Sequence, residues 1–133
     1  MDICLSPRPA TLACQHVFAY GSLVEPRCVD EVLGHVHTGE RLAARLAGYR
    51  RVVNGSFPYP FIVASPGASV DGVLLMDLDA CDIQVLDRYE EVETGTYTRE
   101  LVEVETWGCG PRTLRLKAFA YVAGPALIAS TSS

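Results

Sequence analysis

The sequence predicts an α+β domain: a small, strongly curved mixed β-sheet or barrel of five to six strands with two short helices. Three observations lead there. Apolar stretches of strand length recur between clusters of turn formers, only two segments carry helical character, and strands and helices do not alternate in the βαβ rhythm of a parallel sheet. The 133 residues are enough for one domain with a proper core and too few for two of ordinary size. The domain is expected over residues 16–125, between a flexible N-terminal tail (1–15) and a small-polar C-terminal tail (126–133).

The first element is the apolar strand Val17-Phe18-Ala19-Tyr20, which ends abruptly at Gly21-Ser22. Pro26 then opens a short helix over Arg27 to Leu33, since proline suits the first helical turn. Gly34 and Gly39 close it and lead into a long β segment, Arg41 to Val53, in which Gly48 marks a bulge or a close approach. Residues 54–60 are rich in turn formers, and Phe57, Tyr59 and Phe61 recur at the spacing of one strand face, leaving exposed aromatics with room for a partner. Two further strands, Phe61 to Ala64 and Val70 to Leu78, are joined by the turn Ser65-Pro66-Gly67-Ala68-Ser69. Asp79 to Val92 reads as a helix with Asp79 as its N-cap, stopped by Gly95. Tyr97 to Trp107 alternates cleanly, Val102 and Val104 against Glu103 and Glu105. Gly108 to Pro111 forms a turn, and Leu114 to Val122 returns as the last strand.

Apolar residues make up 49% of the chain and charged ones 20%, the balance of an ordered globular protein. The net charge is −5 and the eleven Lys and Arg are scattered, so no nucleic-acid footprint is present. Five cysteines without a C-x-x-C or paired histidine spacing indicate neither a disulfide framework nor a zinc site, which fits a reduced cytoplasm. His35 and His37 read as strand or surface histidines. Neither the apolar run of a signal peptide nor the roughly 20 apolar residues of a membrane helix occurs, so no membrane partner is expected.

Glu90 is the informative residue. At about 100° per residue, Ile83, Val85, Leu86 and Tyr89 sweep an apolar arc that contains Glu90, whereas Glu91 falls near Asp87 on the polar side. A buried carboxylate without a local cation costs several kcal/mol, on the order of a domain's whole stability, and so suggests a working acid or base. A frayed last turn would instead let Glu90 reach solvent.

A second candidate is Tyr20-Gly21-Ser22-Leu23, where a strand passes into a loop and glycine lets backbone N–H groups face a ligand. Taken alone it is equally a simple turn. In order along the chain follow Leu42-Ala43-Ala44-Arg45-Leu46-Ala47-Gly48-Tyr49, Tyr59-Pro60, Val70-Asp71-Gly72-Val73-Leu74, Leu86-Asp87-Arg88-Tyr89-Glu90 and Tyr97-Thr98-Arg99. This ordered series resembles the γ-glutamylcyclotransferase-like family from Val17 to about Val122. The family's glutamate matches Glu90, while Glu91 stands where the family usually has glycine.

The resemblance implies cyclisation of a small γ-glutamyl substrate, whose own α-amine attacks its γ-amide carbonyl and releases 5-oxoproline and an amine or peptide. It implies Glu90 as general acid/base, the backbone of Gly21, Ser22 and Leu23 with Tyr20 as substrate cradle, and Tyr97 and Tyr121 beside the pocket. No metal or organic cofactor is required. The leaving amine and the oligomeric state stay open, and Glu91 motivates the alternative of a non-catalytic ligand-binding or interaction module on the same fold.

Overall fold

The computed structural model describes residues 15–54, 57–107 and 113–131. Residues 1–14 of the expected tail 1–15, the turn Gly108–Pro111, Cys4, Cys14 and Cys109 lie outside them, as does the side chain of Phe57, while Gln15 already belongs to the first strand. The elements are β1 (Gln15–Ala19), a 3₁₀ turn (Ser22–Val24), α1 (Pro26–Leu33), β2 (Arg41–Asn54), β3 (Phe57–Leu78), α2 (Ala80–Tyr89), β4 (Tyr97–Thr106), β5 (Leu114–Ala123) and α3 (Pro125–Thr131). The strands form a closed barrel in the order β1–β3–β2–β4–β5. All neighbours are antiparallel except β1 and β5, which close the ring in parallel through Val17 beside Phe119 and Phe18 beside Ala120.

β1 is short, and its last three residues, Val17 to Ala19, are apolar because both of its faces are buried there. Phe18 points into the barrel with Leu46, Ile62, Leu74 and Val104. Val17 and Ala19 point outward, under a layer formed by Val29 and Leu33 of α1, Ile83 and Leu86 of α2, and Leu127 of α3. Gly72 of β3 faces the end of β1 so closely that a Cβ there would lie 2.2 Å from the Ala19 carbonyl oxygen. Only glycine permits this approach, which fixes where the chain leaves the barrel at Tyr20.

Two expectations are corrected. The expected turn at Ser65 to Ser69 does not split a strand: β3 runs unbroken, and Ser65 to Ala68 form an extra loop of ladder opposite Gly48, between the pairs Tyr49–Ala64 and Ala47–Ser69. Gly48 and Gly67 both take φ of 87° there. A bulge uses the same residues as a turn, so composition alone does not separate them. Among the described residues there are three α-helices, not two, because the expected C-terminal tail falls largely in α3, whose Leu127 is buried in the core. His35 and His37 lie in the loop between α1 and β2.

Two local expectations also change. Phe61 is buried at 3% exposure while Tyr59 stays 59% exposed, so the aromatic run is not a uniformly exposed face. Cys28 is a free thiol, but Cys81 is disulfide-bonded, a pairing that linear spacing does not reveal.

Candidate active site

A cavity of about 330 Å³ opens where the end of β1, the end of α2 and the start of β4 meet. Every residue singled out for a site, Tyr20, Gly21, Ser22, Leu23, Glu90, Tyr97 and Tyr121, lines it. They come from four separate segments, brought together by barrel closure.

Glu90 reaches the cavity because α2 is held at both ends. At its start Asp79 accepts from the Asp82 N–H at 2.8 Å, and Asp82 accepts in return from the Asp79 N–H at 3.2 Å, a reciprocal capping box. Asp82 is also bonded by His35 Nε2 at 2.7 Å, and that bond raises the His35 pKa. In the middle, Leu86 is fully buried. At the far end Glu90 is the C-cap, yet its N–H still donates to the Leu86 carbonyl at 2.9 Å, so the last turn does not fray.

The chain then turns back through Glu91 at φ 54°. The Val92 N–H donates to Asp87 O and the Glu91 N–H to Arg88 O, the two bonds of a Schellman exit. That motif wants a left-handed residue after the cap, usually glycine, and Glu91 adopts the same backbone at a cost of about 1 kcal/mol. The helix exit therefore survives the departure from glycine. The Glu91 side chain does not lie beside Asp87 as the helical wheel implies. It stands at the cavity wall, where Oε1 accepts from Thr96 Oγ1 at 3.3 Å.

Glu90 is partly buried and, among the described residues, has no ion-pair partner. Burial alone raises its pKa to about 7. A carboxyl poised there exchanges a proton readily near neutral pH.

The wall opposite carries the Gly21–Leu23 segment. A Cβ on Gly21 would sit 3.4 Å from Pro60 Cγ, so glycine keeps this wall open. The N–H groups of Gly21, Ser22 and Leu23 have no acceptor among the described residues, as expected at the start of a 3₁₀ turn. The Tyr20 hydroxyl donates to the Tyr121 carbonyl, tying the loop to β5. The Tyr97 hydroxyl donates to the Pro60 carbonyl at 2.9 Å. Burial first, followed by nearby charge for Tyr20 and Tyr97 and by the Asp87 hydrogen bond for Tyr121, pushes the pKa values of all three well above the usual phenol range, so they stay neutral.

Several neighbours escape a linear reading. Tyr89, assigned by periodicity to the buried arc, is 42% exposed at the cavity mouth, its hydroxyl 2.9 Å from Ser22 Oγ. Asp87, assigned to the polar side, is partly buried and accepts from both Tyr121 and Arg99, each at 2.8 Å. Both residues fall within the Leu86–Glu90 motif, but their partners lie far away in the chain.

A family model described as γ-glutamyl cyclotransferase, AIG2-like, matches residues 17–132. Protein AIG2 C of Arabidopsis thaliana is 33% identical over 89 residues, which cover 67% of this chain and 51% of that protein. The chain thus spans about half the length of that relative. The solution structure of another Arabidopsis thaliana protein superposes with a TM-score of 0.70 at 28% identity, covering 89% of this chain and 65% of the other. A solved γ-glutamyl cyclotransferase shares the fold with a TM-score of 0.66 at 21% identity, over 83% of this chain and 66% of its own.

Proposed function

Because the chain belongs to the γ-glutamyl cyclotransferase, AIG2-like family, we propose that it cyclises γ-glutamyl amines or peptides, with Glu90 as general acid/base. The observation that carries this reading is the Glu90 carboxyl, raised to a pKa of about 7 and lining a small cavity opposite the free amides of the Tyr20–Leu23 loop.

The substrate's α-ammonium loses a proton to the Glu90 carboxylate, and the freed amine attacks the γ-carbonyl carbon. A C–N bond forms, and the proton held by Glu90 goes to the departing nitrogen as the original amide C–N bond breaks. The second proton shed by the attacking nitrogen passes through Glu90 to the released amine, which leaves as an ammonium while Glu90 returns to the carboxylate. The products are 5-oxoproline and the amine or peptide. Backbone N–H groups of Gly21, Ser22 and Leu23 hold a carboxylate or the developing oxyanion. Folding the glutamyl chain so that amine meets carbonyl contributes several kcal/mol through orientation alone, up to about 7 to 11 in ideal intramolecular cases. No step calls for a metal or organic cofactor.

The test is incubation with a panel of γ-glutamyl amines and dipeptides, with chromatographic detection of 5-oxoproline. At least one substrate is expected to turn over, and Glu90→Gln to abolish it. Turnover of no substrate, or an active Glu90→Gln, overturns the reading. Tight binding with no product over hours would favour the non-catalytic module instead.

A further inference from the structure

A phenol carries one proton to donate and lone pairs to accept, and for three of the tyrosines that line this cavity the proton is already assigned. The Tyr20 hydroxyl donates to the Tyr121 carbonyl, Tyr97 to the Pro60 carbonyl, and Tyr121 to Asp87 Oδ1 at 2.8 Å. None of the three has a proton left for a ligand. Among the described residues no Lys or Arg lines the cavity, and Glu90 adds a further acceptor when ionised. The backbone amides of Gly21 to Leu23 are donors on the opposite wall, and at the mouth the Ser22 and Tyr89 hydroxyls share one hydrogen bond that uses one of their two protons.

The orientation of the Tyr121 hydroxyl is enforced. Asp87 gives Oδ1 to Tyr121 and Oδ2 to Arg99 Nη1, the latter at 2.8 Å, so both carboxylate oxygens are engaged. Arg99 is itself held with its guanidinium 4.6 Å from the centre of the Phe119 ring. Its charge balances that of Asp87, so the pair orients Tyr121 without presenting a net charge. Asp87 precedes Glu90 by three residues at the end of α2, a spacing that brings side chains together on one side of a helix. Tyr121 and Glu90 both line the cavity, and a charge on Glu90 acts on the Tyr121 phenol.

We propose that this corner is an ammonium site, in which Tyr121 Oη and Glu90 accept hydrogen bonds from the ligand's α-ammonium, and that Asp87 and Arg99 are positioning residues holding the Tyr121 proton away from it. The identity of the ligand as a γ-glutamyl compound rests on the cyclotransferase reading; the ammonium site itself does not. The site also separates substrate from product. In 5-oxoproline the nitrogen is a neutral lactam N–H, so cyclisation removes the group the corner recognises.

The experiment is calorimetric titration of the full chain with L-glutamate and with glutarate, which lacks the ammonium. Wild type is expected to bind glutamate at least about tenfold more tightly, the worth of one charged hydrogen bond. Tyr121→Phe removes the acceptor, and Asp87→Asn frees the hydroxyl to turn its proton inward. Either change is expected to reduce the glutamate-to-glutarate preference to below about threefold while leaving glutarate affinity nearly unchanged. A purely structural role would weaken both ligands alike and keep the ratio. That result, an unchanged ratio, or no glutamate binding by wild type overturns the proposal; Tyr121→Phe decides the matter if Asp87→Asn does not fold. An intact, substitution-sensitive ratio without 5-oxoproline from any γ-glutamyl amide would instead sink the cyclotransferase reading and leave the ammonium site standing.

Discussion

Replacing Glu90 by glutamine removes an ionisable group and keeps its shape, so the pH dependence of stability isolates the cost of burying the carboxylate. The folded pKa is about 7, against about 4.3 for an unfolded chain. At about 1.4 kcal/mol per pKa unit, full ionisation in the fold costs about 3 to 4 kcal/mol. Glu90 is only partly buried, and solvent access reduces this to about 2 kcal/mol. The sign follows from the raised value. Between the two pKa values the native state binds more protons than the unfolded one, so stability falls as pH rises from about 4.3 to about 7 and levels off above. Glutamine mimics the protonated form throughout. In urea denaturation at pH 5 and pH 8, Glu90→Gln is expected to gain about 2 kcal/mol on the wild type between the two conditions. Turnover of a γ-glutamyl amide by wild type should show an acid limb near pH 7. Stability profiles that run parallel within about 0.5 kcal/mol would refute the burial argument, whatever the activity of the variant.

Glu91→Gly places the residue that tolerates left-handed backbone at φ 54° and gives up only a long contact with Thr96, so it should stabilise by about 0.5–1 kcal/mol, or a few degrees in Tm; a lower Tm by calorimetry would contradict the Schellman reading. Gly72→Ala drives a Cβ to 2.2 Å from the Ala19 carbonyl and must displace the end of β1, costing about 2 kcal/mol or more and weakening ligand binding together with stability; thermal melts within a degree of wild type would refute the close approach. The His35 pKa, raised mainly by its bond to Asp82, should return toward about 6.5 in Asp82→Asn when followed by NMR titration. That interaction stabilises fully below the unfolded pKa and fades as pH rises through the folded one, and an unmoved titration would exclude it.

Much of the fold is legible in linear order because its signals are local. Glycine and proline bound nearly every element, the Asp79 cap sits at the start of α2, and the alternation of Val102 and Val104 with Glu103 and Glu105 gives the faces of β4. Where local signals are degenerate, the linear reading goes astray. Ser-Pro-Gly serves a bulge as well as a hairpin turn, and helical periodicity does not say where α2 ends, so Tyr89 and Glu91 moved from their expected surroundings to the cavity wall. α3 was hidden because its buried Leu127 finds its core only once the barrel is closed.

For the candidate site, the sequence by itself determined the chemical inventory: a glutamate on an apolar helix side, a glycine-containing strand exit, and two tyrosines placed through an ordered set of motifs. Only the tertiary structure decided how these groups behave. Burial sets the Glu90 pKa, and Asp87 with Arg99 sets which way the Tyr121 proton points, across separations of 34 and 12 residues. Desolvation and hydrogen-bond direction depend on which atoms surround a group, and those atoms come from strands that meet only when the ring β1–β3–β2–β4–β5 closes.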